Sequence, residues 1–260
     1  SLQVENVSLQ VAGFEVLPVP TGIYGLDGGA LFGTVPKVLW SKSNPSDDLN
    51  RIPMEARALL LKSKEKNILI DCGNGSDFIA KYGEKLGGKF ADMYAIDENG
   101  PTLLKSLAQY GLKPEDIDHV ILTHLHFDHC GGGVAAKHVN NGVAATKHLT
   151  SGGVATNSNS ETLVPTFPKA TYWVQKGNLE LAQNPNIREK ASYLPANFQP
   201  LLDHQVLRLL EPNQKDFIPG LQNLQIDAYV SHGHTGYHQS IVISDKSSPT
   251  SASTQPKTTV

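Results

Sequence analysis

The sequence predicts an α/β fold, with sheets flanked by helices, on three observations. Two apolar runs of strand character, Asn67 to Ile70 and Val120 to Leu122, bracket a segment with helix punctuation, Thr102 to Gly111. The 260 residues are 39% apolar, enough to build a sizeable core. No apolar run approaches the roughly 20 residues that a membrane helix needs, so no membrane partner is expected.

Residues 4 to 18 alternate loosely through Val4, Val7, Leu9, Val11, Phe14, Val16 and Leu17, which predicts one or two antiparallel edge strands. In 26 to 40 the glycines read as turn residues, and the polar stretch 41 to 56 reads as a surface loop. Ala58 to Leu61 and Asn67 to Ile70 then form two strands around the charged turn 62 to 66. The helix from Thr102 follows Pro101, puts Leu103, Leu104 and Leu107 on one face, and stops at Gly111. Further on, Thr171 to Gln175 reads as a strand, Leu179 to Gln183 as the start of a short helix, and 196 to 204 as partly helical. Gln205 to Leu210 and Leu224 to Val230 alternate as strands of a second sheet, with Ser240 to Ser244 returning after them. All of this is read as one domain spanning 1–260.

Two segments depart from this pattern. Residues 133–162 hold a degenerate repeat of about ten residues, Gly133-Val-Ala-Ala, Gly142-Val-Ala-Ala and Gly153-Val-Ala-Thr, well short of solenoid periods. It reads as an inserted low-complexity loop, and His138 and His148 within it are not taken as ligands. Residues 246–260 read as a polar tail or long hairpin loop.

The chemistry concentrates in 119 to 133, His-Val-Ile-Leu-Thr-His-Leu-His-Phe-Asp-His-Cys-Gly-Gly-Gly. Side chains alternate along extended backbone, so His124 and His126 point the same way and can share one cation. Asp128 and His129 follow where the chain turns, and imidazole with carboxylate suits a borderline divalent ion such as zinc. A second cluster, Ser231-His232-Gly233-His234-Thr235-Gly236-Tyr237-His238, makes an accidental grouping hard to sustain. The formal charge of −3 shows no basic patch, which argues against a nucleic-acid partner. Cys72 and Cys130 are too few for a disulfide framework and read as reduced core residues.

His-x-His-x-Asp-His after a buried strand, with Gly-His-Thr-x-x-His about a hundred residues on, resembles the metallo-β-lactamase superfamily. The resemblance implies an αββα sandwich, two mixed sheets flanked by helices, here with its second half incomplete. It implies that His124, His126 and His234 hold a first metal ion, and that Asp128 and His129 belong to a second position. Asp128 would also orient or deprotonate the nucleophile. Asp71, in Asp-Cys-Gly where the family carries Asp-Thr-Gly, and His238 resemble supporting residues behind the ligands. The run Leu26-Asp27-Gly28-Gly29-Ala30-Leu31-Phe32-Gly33-Thr34-Val35-Pro36-Lys37-Val38-Leu39-Trp40 is similar to a signature of the quorum-quenching, N-acyl homoserine lactonase-like branch. It makes Leu31, Phe32 and Trp40 candidates for an apolar substrate wall.

The family's bridging Asp and last His find no counterpart here, and Asp245 lies in a turn rather than at the required strand end. This leads to the expectation of a C-terminally incomplete version of a longer hydrolase. The expected cofactor is one or two Zn2+ ions, with Mn2+ or Fe2+ as options. The expected function is hydrolysis of a small ester, lactone or related bond by a metal-bound hydroxide. Thioesterase and organophosphate hydrolase activities are the alternatives, together with a non-catalytic fold relative. The partner is a small-molecule substrate, a homodimer is compatible with this reading, and the favoured compartment is the cytoplasm.

Overall fold

The computed structural model describes residues 9–138 and 161–247. The short edge strand β1 (Leu9–Val11) turns through Ala12 and Gly13, both at positive φ, into the long β2 (Phe14–Asp27). Two one-turn helices follow, α1 (Gly28–Phe32), whose first turn is capped by Asp27 Oδ1 accepting from Ala30 N at 3.0 Å, and α2 (Lys37–Trp40). Next come β3 (Arg51–Lys62), β4 (Asn67–Ile70), α3 (Phe78–Met93), α4 (Leu103–Gln109), β5 (His119–Ile121) and α5 (Phe127–Cys130). After β6 (Val134–His138) and β7 (Glu161–Pro165) the chain runs through β8 (Thr171–Gln175), α6 (Lys176–Gln183), α7 (Gln199–Asp203) and β9 (Leu207–Leu210). It closes with β10 (Leu224–Ser231) and β11 (His238–Asp245).

Seven strands form a mixed sheet in the order β1-β2-β3-β4-β5-β8-β9, antiparallel up to β4 and parallel from β4 onward. β10 and β11 form a separate antiparallel ladder. The period-two alternation of the strands divides the apolar residues between two cores. Ile68, Ile70, Ile121 and Leu61 face Leu224, Ile226 and Ala228 of β10, so the ladder is the second sheet packed on the first. Leu69, Val120, Leu60 and Val174 face the other way, beneath Leu103 and Leu107 of α4, Leu179 of α6 and Leu201 of α7. The mixed α/β layering is as the sequence predicts.

Several details differ from the sequence reading. β2 extends to Asp27 and pairs on both edges, because β3 begins at Arg51, inside the stretch expected to be loop. Leu104 is exposed; only Leu103 and Leu107, a single turn apart, reach the core. Leu179 to Gln183 closes α6 rather than opening it. β9 belongs to the first sheet, paired in parallel with β8, since alternation marks a strand but not its neighbour. Helix α3 has no counterpart in the sequence reading. Gly83, at φ 75°, kinks it, and Gly87 packs against the Phe78 backbone. Both cysteines are free and buried. The expected inserted loop is strand at both ends: the first repeat unit runs into β6, which pairs antiparallel with β7, while residues 139–160, with His148, and most of the polar tail lie outside the described residues.

The metal motif is locked to β4's exit by backbone. Cys72 N donates to His129 O at 2.7 Å and Gly132 N to Gly73 O at 2.9 Å. A Cβ on Gly132 would overlap the Cys72 carbonyl oxygen, and one on Gly131 that of Asn74, so the two loops approach this closely only through glycine. Gly132→Ala is therefore expected to cost about 1–3 kcal/mol, read as a lower urea midpoint. A wild-type midpoint would contradict the close packing.

Candidate metal centre

β5 hands its last hydrogen bond over at Leu122 N, which donates to Trp173 O at 2.9 Å, and the chain leaves the sheet at Thr123. His126 stands at the entrance to α5 with extended φ/ψ (−68°, 149°), and Asp128 occupies that helix's first turn, where a carboxylate is electrostatically favoured. His124 and His126 are both buried, with ring centroids 4.5 Å apart. His234 arrives from the other end of the chain, on the turn that joins β10 to β11, whose pairing closes at Ser231 opposite His238.

The three imidazoles converge. His234 Nε2 lies 3.1 Å from His126 Nδ1 and 3.2 Å from His124 Nε2, and one nitrogen from each ring falls within 4.8 Å of the others. A tetrahedral ion bound at about 2.0–2.1 Å separates its nitrogen ligands by about 3.3 Å, so this set fits a zinc-sized cation. Of the outer nitrogens, His124 Nδ1 sits 3.0 Å from Thr123 Oγ1, whereas His126 Nε2 is buried with no partner among the described residues. Burial first, and then the neighbouring imidazoles, push His124 far below the usual histidine range and His126 down to about 4. Both therefore stay neutral, the form in which imidazole binds a cation.

Asp128 and His129 stand beside this cluster. His129 Nε2 is 3.7 Å from Asp128 Oδ2, and its Nδ1 is 2.8 Å from Asp71 Oδ2, which makes Nδ1 the donor and leaves Nε2 facing Asp128. Burial pulls the His129 pKa down, but the hydrogen bond and charge of Asp71, with the charge of Asp128, outweigh it and the net shift is upward. Asp71 Oδ1 also accepts from Thr123 N at 2.8 Å, and the Thr123 hydroxyl lies 2.8 Å from Oδ2, so one carboxylate anchors both halves of the first motif. His238 Nδ1 lies 3.0 Å from Ser231 Oγ, with its ring 5.1 Å from that of His124. Asp245 pairs with Leu224 at the opposite end of the ladder, about 23 Å along the strand from His238, and is not brought to the cluster.

A metallo-β-lactamase superfamily model matches residues 53–150, the stretch carrying β3 to the first His motif. Across the fold, the chain aligns with a probable metal-dependent hydrolase from Staphylococcus aureus at 26% identity and a TM-score of 0.65, covering 91% of this chain and 70% of that one. Over residues 53–150 the chain is similar to the metallo-β-lactamase superfamily. Among curated relatives are N-acyl homoserine lactonases from a Bacillus species and from Bacillus cereus, each 26% identical, over 73% and 76% of this chain. The aligned part spans 59% and 62% of their lengths. A dizinc quorum-quenching lactonase in complex with a product is similar in fold, at 22% identity and a TM-score of 0.60, covering 92% of this chain and 70% of that one.

Of the residues singled out from sequence, the fold brings His124, His126, Asp128, His129, His234, Asp71 and His238 to one place. Leu31 is exposed, and Phe32 stacks at 5.1 Å on buried Trp40, so these two rings are engaged with each other. Sequence reasoning missed Tyr24, whose hydroxyl donates to Asp128 Oδ2 at 2.9 Å, and Asn178, which bonds to Leu125 inside the motif. Neither carries a motif signal: Tyr24 is one more aromatic in a strand and Asn178 one more polar residue in a helix. Among the described residues no helix is long and apolar enough to cross a membrane.

The depressed histidines give the chelator-stripped protein a pH signature. Below pH 6.5 the unfolded chain's imidazoles take up protons that the folded site refuses, so stability falls with pH until the folded group itself protonates. For His126 that window runs from 6.5 to about 4 and is worth about 3 kcal/mol. Urea melts of stripped protein between pH 7 and 4 should show this decline, and a larger one once zinc is restored, because protons then also displace the ion; a flat profile would contradict the buried neutral cluster.

Proposed function

We propose that the protein is a metal-dependent hydrolase of a small ester-type bond, with an N-acyl homoserine lactone as the substrate class. The observation that carries this reading is the convergence of His124, His126 and His234 nitrogens, 3.1 and 3.2 Å apart, beside the Asp128 carboxylate. Three imidazoles leave a fourth coordination position open, as catalytic rather than structural sites do. The lactone assignment is supported by the curated relatives, which are N-acyl homoserine lactonases.

An ion held there supplies a Lewis acid for the scissile carbonyl and brings the pKa of water toward about 7. The side chains do the remainder. Asp128 is held by Tyr24, whose hydroxyl is kept protonated because burial, and then the charge and hydrogen bond of Asp128, push its pKa well up. With Oδ2 occupied in this way, the carboxylate has a fixed orientation from which to align a water and accept its proton. Asp71 keeps His129 Nε2 directed at the same space. His129 and Asp128 are the residues that would hold a second ion. Water adds across the acyl carbon–oxygen bond; the ring opens to a carboxylate and an alcohol, and one proton is released.

The reading is tested by following proton release from N-hexanoyl homoserine lactone with zinc- or manganese-loaded protein and with chelator-stripped protein. Hydrolysis should require the metal. A loaded protein that leaves the lactone intact but cleaves a thioester or a phosphotriester would move the substrate class. Loaded protein inert toward all three would favour a non-catalytic relative.

A further inference from the structure

The two histidine clusters lie about 110 residues apart, and something must hold His234 against His124 and His126 before any ion arrives. We infer that Asn178 and Tyr193 form a clamp that sets the spacing of the two halves of the metal centre. The inference rests on the three-histidine reading above and adds positioning residues to it.

Asn178 lies in the first turn of α6 and is fully buried. Its Oδ1 accepts from Leu125 N at 2.9 Å, the peptide group between His124 and His126. Its Nδ2 donates to Gly236 O at 2.8 Å, two residues past His234, and to Tyr193 Oη at 3.1 Å. A single carboxamide thus spans both loops, one end on each. Tyr193 adds a second tie. Its hydroxyl is 2.6 Å from Thr235 Oγ1, next to His234, and its ring stands 4.6 Å from the His126 ring at 66°. Around them, Gly177 packs so closely on the Tyr237 ring that a Cβ there would displace it, and Leu181 meets Gly236. The start of α6 is therefore fitted against the second loop along its length.

The chemistry explains why an amide serves here. A carboxamide offers an acceptor to one loop and a donor to the other, with a second donor for Tyr193, without bringing charge into a fully buried position. With both loops tied through one rigid group, their relative displacement is limited to the slack of two hydrogen bonds. Supporting partners of this kind typically alter metal affinity by about 10–100-fold when removed.

The experiment is a cobalt titration of the chelator-stripped 260-residue protein, read by the visible spectrum of bound Co2+ and paired with urea melts in the absence of metal. Asn178→Ala and Tyr193→Phe are compared with wild type. Tyr193→Phe keeps the ring against His126 and removes only the hydroxyl tie, so it reports even where Asn178→Ala fails to fold. Cobalt affinity of the folded variants is expected to fall about tenfold or more, with an altered spectrum. Variants that melt earlier but bind cobalt with wild-type affinity and spectrum would overturn the clamp and leave these residues structural. Wild type that takes up no cobalt would instead defeat the three-histidine reading itself.

Discussion

Replacing His126 with alanine is expected to lower affinity for the first ion by about two to three decades and to remove metal-dependent hydrolysis. Four-ligand zinc sites deliver about 10–16 kcal/mol of binding free energy, so the loss of one ligand accounts for roughly a quarter of that. His126 is the most telling of the three because its Nδ1 lies 3.1 Å from His234 Nε2, joining the local motif to the distant one. The variant should also lose part of the acid sensitivity of the stripped protein, since the group whose pKa is held down to about 4 is gone. Equilibrium dialysis against zinc with elemental analysis, together with the lactone assay, measures both effects. Hydrolysis persisting at the wild-type rate would defeat the metal-enzyme reading.

The second large effect is expected at Asp71. Its carboxylate accepts from Thr123 N and partners His129 Nδ1, and it sits at φ 61° at the exit of β4. Asp71→Ala leaves both part-buried groups without this partner, at a cost of roughly 1–3 kcal/mol. It also frees the His129 ring to turn or change tautomer, lowering metal affinity by about 10–100-fold. Asp71→Asn separates the causes, because asparagine tolerates the left-handed backbone and still accepts from Thr123 N. It should recover most of the stability and less of the affinity. Urea melts and zinc competition titrations read the two quantities, and equal recovery of both would mean that the negative charge plays no part.

What could be read from sequence and what could not follow from the range of the interactions. The first motif is local: a three-residue strand, an exit and a one-turn helix carry His124, His126, Asp128 and His129 within six positions, so type and spacing alone expose the chemistry. β4, β5 and β8 were legible because each is a short apolar run with clear punctuation. Helix α3 was not. Phe78, Tyr82, Phe90 and Tyr94 stack on one face, yet Gly83, Gly87 and Gly88 weaken its helical propensity, and tertiary packing overrides that loss. Lys81 illustrates the same override: it is buried, donates to Gly131 O at 2.8 Å, and burial pulls its pKa down to about 8. Tyr24 and Asn178 could not be found for a different reason. Their partners lie 104 and 53 residues away, and nothing in their own surroundings marks the contact.

The central claim is that His124, His126 and His234 hold one cation through Nε2, Nδ1 and Nε2. X-ray absorption at the zinc edge of protein loaded with one zinc equivalent tests it most directly. The claim predicts a four-coordinate ion with three imidazole nitrogens at about 2.0–2.1 Å. An ion ringed only by oxygen, or with the same absorption spectrum after His234→Ala, would contradict it.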